Sequence, residues 1–248
     1  MFYNELQHRF SQLIERNDLA DKTVEIKARI LSNEEAIGNP SRDDYPLLKG
    51  KEFLMEARFM DVSGQAYTDA PSELTTTLAE IANSKLDDTP QRALFIATLN
   101  AVVRYLDGDL KTVHCRNDEP EKCADQIIEA IRPANPHTVG LVGLQPAILA
   151  VLSKTYGPEN VLCVDRDTSL RGTSKHDVPI LWGDEETTEM VFSRSDVVLS
   201  TGSTVVNGSL PDLLALAEKF QTPIFFYGTS VAGTARLMSL NHLCFEAS

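Results

Sequence analysis

The stretch TVGLVGLQPAILAVLSKTYGPENVLCVDRD, residues 138–167, decides the fold. Thr138–Val142 is a short apolar run that stops at Gly143. Gln145–Tyr156 follows with apolar residues at helical spacing, and Pro146 suits a first helical turn, where a missing N–H costs little. Asn160–Val164 is a second apolar run, ending at Asp165. The same alternation continues downstream. Glu185–Arg194 reads as a helix, Asp196–Ser200 as a strand ending at Thr201-Gly202, Leu210–Phe220 as a helix, and Pro223–Tyr227 as a strand ending at Gly228. Near-continuous apolar strands between amphipathic helices predict a parallel sheet covered on both faces. Sheets of this kind place ligands outside the carboxyl ends of their strands.

Upstream the pattern differs. Asp118-Glu119-Pro120 opens a helix that runs to about Ile131, and Pro133 and Pro136 mark a boundary after it. Phe2, Leu6, Phe10, Leu13 and Ile14 fall on one helical face. Thr23–Leu31 alternates as a half-buried strand, and Asn33–Lys51 reads as a loop. Phe53–Val62 predicts a second strand, broken by Ser63-Gly64. Ser72–Asn83 and Pro90–Tyr105 are helical by pattern. The first hundred or so residues therefore predict an α+β arrangement rather than an alternating one.

Composition narrows the function classes. Hydrophobic residues make up 42% and charged residues 24% of the 248, enough for a core without disulfides or metals. The net charge of −13 argues against nucleic acid, whose phosphates need clustered Lys and Arg, and against anionic membranes. A metal cation or a cationic group on a ligand would find this field favourable, but an acidic surface that serves only solubility is the simpler reading. No apolar stretch approaches a membrane span, and Met1–Arg16 lacks the apolar run of a signal peptide, so a cytoplasmic protein is expected. Four cysteines, at 115, 123, 163 and 244, fit reduced thiols better than a disulfide framework.

The strand ends hold the polar candidates. Gly143 lets a backbone approach a ligand, with Gln145 beside it; an ordinary tight turn explains them equally well. The turn is not GxGxxG, so the usual dinucleotide fingerprint is absent. Asp165 stands where an acidic residue can hold ribose hydroxyls, or in a solvated loop with Arg166 and Asp167. Thr201, Gly202, Ser203, Thr204 and Asn207 gather hydroxyls and an amide at the third strand end, more than helix capping by Ser203 or Ser209 requires. Tyr227, Gly228 and Thr229 repeat the theme on the next strand. In the first half, Gln65, Thr68 and Asp69 lie in a polar turn that is able to face the same cleft, although on the residues alone an ordinary turn with an Asx-type cap is the simpler reading.

A second constellation is His114, Cys115 and Cys123. Thiolate and imidazole suit soft metals, and Cys123 falls in the first turn of its helix, where the helix terminus favours a thiolate. The spacing is C-x7-C rather than that of a zinc knuckle, and a pair of buried thiols is the simpler reading. Cys163 reads as core; Cys244 reads as core or as a third ligand. No Ser-His-Asp order, Walker loop, HExxH or paired-carboxylate pattern occurs, so no reaction is declared.

Taken together, His114-Cys115-Arg116 with Glu119-Pro120 and Cys123, Val139–Gly143 with Gln145-Pro146, Thr201–Thr204 with Asn207-Gly208, and Tyr227–Thr229 with Ala232-Gly233 resemble the putative heavy-metal chelation family of prokaryotic proteins. Gly64–Asp69 resembles the domain that usually precedes it, which is similar to the N-terminal domain of enolase. The resemblance implies two domains: residues 1–108, enolase-N-terminal-like and α+β, and residues 109–248, a Rossmann-like parallel-sheet domain. It implies a heavy or transition metal ion as cargo and a link to anaerobic cobalamin biosynthesis. It also moves the Gln65–Asp69 turn toward the cleft. Two functions follow. One is a metal-handling protein with His114, Cys115 and Cys123 as ligands. The other is an enzyme or sensor for an anionic metabolite or nucleotide, cradled by Gly143, Thr201, Ser203, Asn207 and Thr229 and closed by Gln65 and Asp69. A homodimer is the ordinary expectation for such a protein.

Overall fold

A computed structural model describes residues 2–29, 37–45, 53–69 and 72–248. The chain folds as a mixed α/β structure with a seven-stranded, largely parallel sheet and a smaller antiparallel one.

The small sheet has the order β3-β2-β1-β4, from β1 (Thr23–Arg29), β2 (Phe53–Phe59), β3 (Val62–Thr68) and β4 (Glu73–Thr77). The end of the strand expected to reach Leu31, and most of the loop expected over 33–51, lie outside the described residues. α1 (Phe2–Arg16) buries Leu6, Phe10 and Ile14, the stripe its spacing predicts. Phe10 meets Phe95 edge to face, with ring centroids 5.3 Å apart.

Two local readings are corrected. The break expected at Ser63-Gly64 falls instead at Met60-Asp61, where Phe59 pairs with Val62 across a hairpin, and Gly64 lies inside β3. Gly64 is a contact residue: a Cβ there would sit 2.1 Å from the backbone nitrogen of Ala101. The helix expected over 72–83 begins only at α2 (Leu78–Ala82). Thr75-Thr76-Thr77 is β-branched and pairs with β1. Thr77 then caps α2 through a capping box with Glu80.

α3 (Thr89–Leu106), capped by Asp88 on the N–H of Gln91, is buried continuously from Phe95 to Val103. It packs on β2 and β3 on one side and on α7 (Thr204–Asn207) and α9 (Ala232–Met238) on the other. A helix apolar all round is one enclosed between layers, and a single buried cluster accordingly runs from Leu6 and Phe59 through Phe95 to Val198 and Phe226.

The large sheet has the order β11-β10-β9-β5-β6-β8-β7. Its strands are β5 (Val139–Val142), β6 (Val161–Asp165), β7 (Ser174–Lys175), β8 (Val178–Trp182), β9 (Val197–Thr201), β10 (Ile224–Tyr227) and β11 (His242–Leu243). Only the β7–β8 pair is antiparallel. Alternation divides the strands between two cores. Val198 and Phe226 face the α3 side, while Val197, Leu199 and Cys163 face a second cluster with α4 (Glu119–Ile131) and α5 (Pro146–Tyr156). From β5 the chain first moves outward through β6, then returns to the other side of β5 as β9. The reversal of strand order therefore lies between β5 and β9, where a crevice is expected.

Candidate functional site

The crevice is present. A cavity of about 520 Å³ opens at the carboxyl ends of β5, β6, β9 and β10. Its floor is made by strand-end turns packed on one another. Gly143 has φ +83, and a Cβ on it would fall 2.5 Å from Cγ2 of Thr201, so the ends of β5 and β9 touch there. The Tyr227 hydroxyl donates to the Gly143 carbonyl, and the Gly202 N–H donates to the Tyr227 carbonyl at 2.7 Å. β5, β9 and β10 are thus laced together beneath the cavity.

The polar groups at these turns are largely engaged with one another. Asp165 accepts from the N–H of Leu144 (2.6 Å) through one carboxylate oxygen and from the N–H of Asp167 (2.7 Å) through the other. Gln145 caps α5 by accepting the N–H of Ile148 at 2.6 Å. Thr201 Oγ1 donates to Ser203 Oγ at 3.3 Å, and Thr204 Oγ1 donates to the Thr201 carbonyl at 2.8 Å. Asn207 Oδ1 accepts both the N–H and the hydroxyl of Ser209 (3.0 and 2.7 Å). The Gly228 carbonyl bonds His242 Nε2 at 2.8 Å.

Gly143, Gln145, Asp165, Thr201–Thr204, Asn207 and Tyr227–Thr229 all line the cavity, as does Asp69. Gln65 does not. It is 5% exposed, and its amide donates to Glu56 Oε2 (3.0 Å) while its oxygen accepts the His114 N–H (2.8 Å). The turn expected at Gln65–Asp69 is the end of β3: its last residues and Asp69 reach the cavity, whereas Gln65 lies further back along the strand, engaged by Glu56 and the His114 backbone. Tyr67 also lines the cavity and meets His114 edge to face, with centroids 5.5 Å apart.

Segment 37–45 roofs part of the cavity. It is tied to the start of α4 by Asn117 N–H to the Ile37 carbonyl (2.6 Å), Ser41 N–H to Asp118 (2.9 Å) and Tyr45 hydroxyl to Glu121 (2.7 Å). On the far side Lys175 of β7 reaches Asp44 at 3.2 Å. Neither Asp44 nor Lys175 was singled out from the sequence; they meet because the β7–β8 hairpin, with no strong local signal, lies across from segment 37–45.

One wall is sulfur. Cys115, Cys123 and Cys244 all line the cavity and all are reduced. Cys244 and the backbone of Phe245 and Glu246 lie around Cys123. The Cys244 S–H first, and the backbone N–H groups with it, hold its thiol down near 6 in spite of burial. Cys244 is driven up by donating to Cys123 and by burial, and burial pushes Cys115 to about 12, with Cys123 adding to it. Cys123 is therefore the most acidic of the three. Cys163, fully buried in β6, is core, as expected. Among the described residues no three His, Cys, Asp or Glu side chains stand in a metal-holding arrangement. The donor chemistry fits a soft cation, but the cage is not closed.

Residues 126–238 match the family described as "Putative heavy-metal chelation". That span includes the strand-end turns but not Cys115, Cys123 or Cys244. Two solved structures share the fold. A DUF364-family protein of unknown function from Pyrococcus horikoshii aligns with a TM-score of 0.57 at 16% identity, covering 93% of this chain and 80% of that one. One from Desulfitobacterium hafniense aligns at 0.50 and 15% identity, covering 75% and 73%. Among curated proteins no sequence matches. No helix among the described residues is long and apolar enough to cross a membrane.

Proposed function

We propose that this protein takes up a soft metal cation at the sulfur wall of its crevice, with Cys123 and Cys244 as the principal donors and Cys115 and His114 drawn in. The observation that carries the reading is the convergence of three cysteines, at 115, 123 and 244, on one cavity. Thiolate sulfur selects soft and borderline cations such as Cu(I), Zn(II) and Co(II). The cavity's charge agrees: Asp44, Asp69, Asp165 and Asp167 line it against Arg166 and Lys175. A neutral Cys244 has to lose its proton to ligate, so uptake releases protons and strengthens as pH rises.

An anionic metabolite fits the same crevice less well. Anion sites at strand–helix turns need free N–H groups. Here the Leu144 and Ile148 N–H groups already have the acceptors Asp165 and Gln145, and the Gly202 N–H is bonded to Tyr227. Lys175 is engaged by Asp44, and Arg166 donates to the Gly183 carbonyl. The volume nonetheless exceeds an ion's needs and falls within the range of small-molecule pockets, about 300–1,000 Å³. A metal arriving with an organic chelator uses both the sulfur wall and the hydroxyl-rich floor. A cobalt cargo would accord with the cobalamin link, which rests on the family resemblance alone.

The test is an anaerobic Co(II) titration of reduced protein, read by thiolate-to-cobalt charge-transfer absorption and elemental analysis, beside Cys123→Ser and Cys244→Ser. One equivalent of cobalt with a charge-transfer band in the parent, lost in both variants, is expected. No band and no retained metal in the parent, with cobalt, zinc or Cu(I), overturns the reading.

A further inference from the structure

We propose that segment 37–45 is a flap over the crevice, latched on the β7–β8 hairpin by Lys175, and that opening this latch sets the size of molecule able to reach the sulfur wall. Three parts of the structure carry the proposal: the feet of the flap, its tip, and the surface that receives the tip.

The feet stand beside the sulfur wall. Asn117 donates its N–H to the Ile37 carbonyl (2.6 Å) and accepts the Asn39 N–H on Oδ1 (3.0 Å), while the Tyr45 hydroxyl donates to Glu121 (2.7 Å). Gly38, at φ +70, lets the first foot fit closely, since a Cβ on it would fall 2.3 Å from Asn117 Oδ1. Ile37 and Tyr45 are buried and line the cavity, so each foot carries an apolar anchor. Residues 117–121 lie between Cys115 and Cys123, so both feet are fixed to the segment that bears two of the three sulfurs. Ends held together around a projecting middle make a compact Ω-like loop, a common form of functional surface loop.

The tip is held by side-chain polar contacts. Arg42 grips Asp44 through two bonds of 3.0 Å, Asp44 Oδ2 also takes Lys175 at 3.2 Å, and Arg42 Nη2 lies 3.2 Å from His176 Nε2. Arg42, Asp44 and Lys175 each keep between 22% and 24% of their side-chain surface in solvent. Ion pairs that water reaches contribute little and are screened by salt. The tip is therefore the weaker attachment of the flap, and the feet are its hinge.

The receiving surface is rigid. Lys175 pairs with Val178 across His176 and Asp177, whose φ values are +52 and +62. Positive φ at both central residues is the type I′ geometry that matches the twist of a two-residue hairpin. Ser153 on α5 fixes the turn by donating its hydroxyl to the His176 carbonyl at 2.7 Å. The hairpin is thus a fixed post that presents Lys175 and His176, and the flap is the part that moves. Such a gate acts on whatever the crevice takes, metal or organic.

The experiment uses reduced full-length protein and two uncharged maleimides, N-methylmaleimide and the bulky N-(1-pyrenyl)maleimide, with labelled cysteines mapped by mass spectrometry. The readout is the pyrenyl rate divided by the methyl rate at Cys115 and Cys123, a ratio in which thiol reactivity cancels. Lys175→Met is expected to raise the ratio roughly three- to tenfold, the scale of a lost, partly exposed ion-pair network. Raising salt to about 1 M, where the screening length is about 3 Å, is expected to raise it in the parent and to leave Lys175→Met unchanged. Cys163, fully buried in β6, is expected to stay unlabelled throughout, which separates opening of the flap from unfolding. A Lys175→Met ratio equal to that of the parent overturns the proposal. So does a parent ratio that salt leaves unchanged, a result that needs no variant to fold. Cobalt plays no part in the measurement, so a crevice that retains no metal leaves the flap standing, and the two readings fail independently.

Discussion

Asn100 ties β3 to the turn that follows β10, at the edge of the crevice. It lies fully buried in α3, and its amide nitrogen donates to the carbonyls of Gln65 (2.8 Å), Thr229 (3.0 Å) and Ser230 (3.2 Å), while its oxygen accepts the Gly233 N–H at 2.7 Å. Gly233 is the second residue of α9, so its N–H has no partner within the helix. Asn100→Ala strands that N–H, at about 1–3 kcal/mol, and weakens carbonyls whose net bonds are worth about 1 kcal/mol each. A total of roughly 3–5 kcal/mol is expected, a large part of a typical ~5–15 kcal/mol stability. For a chain of this size that lowers Tm by roughly 6–20 °C. The assay is thermal unfolding by circular dichroism, with urea midpoints as a check. Asn100→Asp should be nearly as harmful, since it sets an oxygen where the amide donates. A Tm loss under about 3 °C for Asn100→Ala would refute the claim that this residue joins β3 to the β10 turn.

Other perturbations separate the remaining claims. Iodoacetamide should alkylate Cys123 first, with a pH midpoint near 6, while Cys115, pushed up by burial, stays slow at neutral pH; mass spectrometry reads both, and a faster Cys115 contradicts the assignment. Gly64→Ala forces a Cβ against the Ala101 backbone and should yield insoluble or severely destabilised protein, whereas Gly108→Ala, with nothing within 4 Å, should melt within about 2 °C of the parent. His242 is half-buried, and its pKa lies below the ordinary value, first because it loses solvent there. The unfolded chain therefore binds the proton more readily than the folded one. The stabilising difference is present above the unfolded pKa, about 6.5, and is lost as pH falls below it. His242→Gln should flatten the Tm decline between pH 7 and 5, and an unchanged slope would exclude His242 as its source.

The second half of the chain was legible because its signals are local. Val139–Val142, Pro146–Tyr156 and Leu210–Phe220 each declare strand or helix within their own span, and their alternation implies the parallel sheet. The first half misled where tertiary contact outweighed local pattern. Gly64 reads as a strand breaker, but it is glycine because α3 lies directly on it. Thr75–Thr77 sits in a window with helical spacing, yet its β-branched residues find a partner in β1. The same limit applied to the site. The turns at Gly143, Thr201 and Tyr227 were visible because strand ends are where such sheets bind. That their polar groups mostly satisfy one another was not, since those bonds cross between strands. Cys244 lies far along the chain from Cys123, and its place opposite Cys123 follows from β11 pairing with β10, which a two-residue strand does not announce.

This division changes what Gln65 does. From the sequence it was a candidate to touch a ligand; in the fold it holds the segment that carries His114 and Cys115. Its side-chain oxygen takes the His114 N–H, its own N–H donates to the Thr112 carbonyl, and Thr112 and Val113 in turn hold Ser248. The line runs from β3 through 112–115 into 244–248, so the small sheet sets the spacing between Cys115 and the Cys123–Cys244 pair. Loosening it at Gln65 moves one donor of the sulfur wall against the other two without touching any of them. Gln65→Ala should therefore leave the reactivity of Cys123 toward iodoacetamide unchanged. It should also weaken cobalt retention to the level of Cys115→Ser. Retention equal to that of the parent would mean that Cys115 takes no part, and would reduce the wall to Cys123 and Cys244.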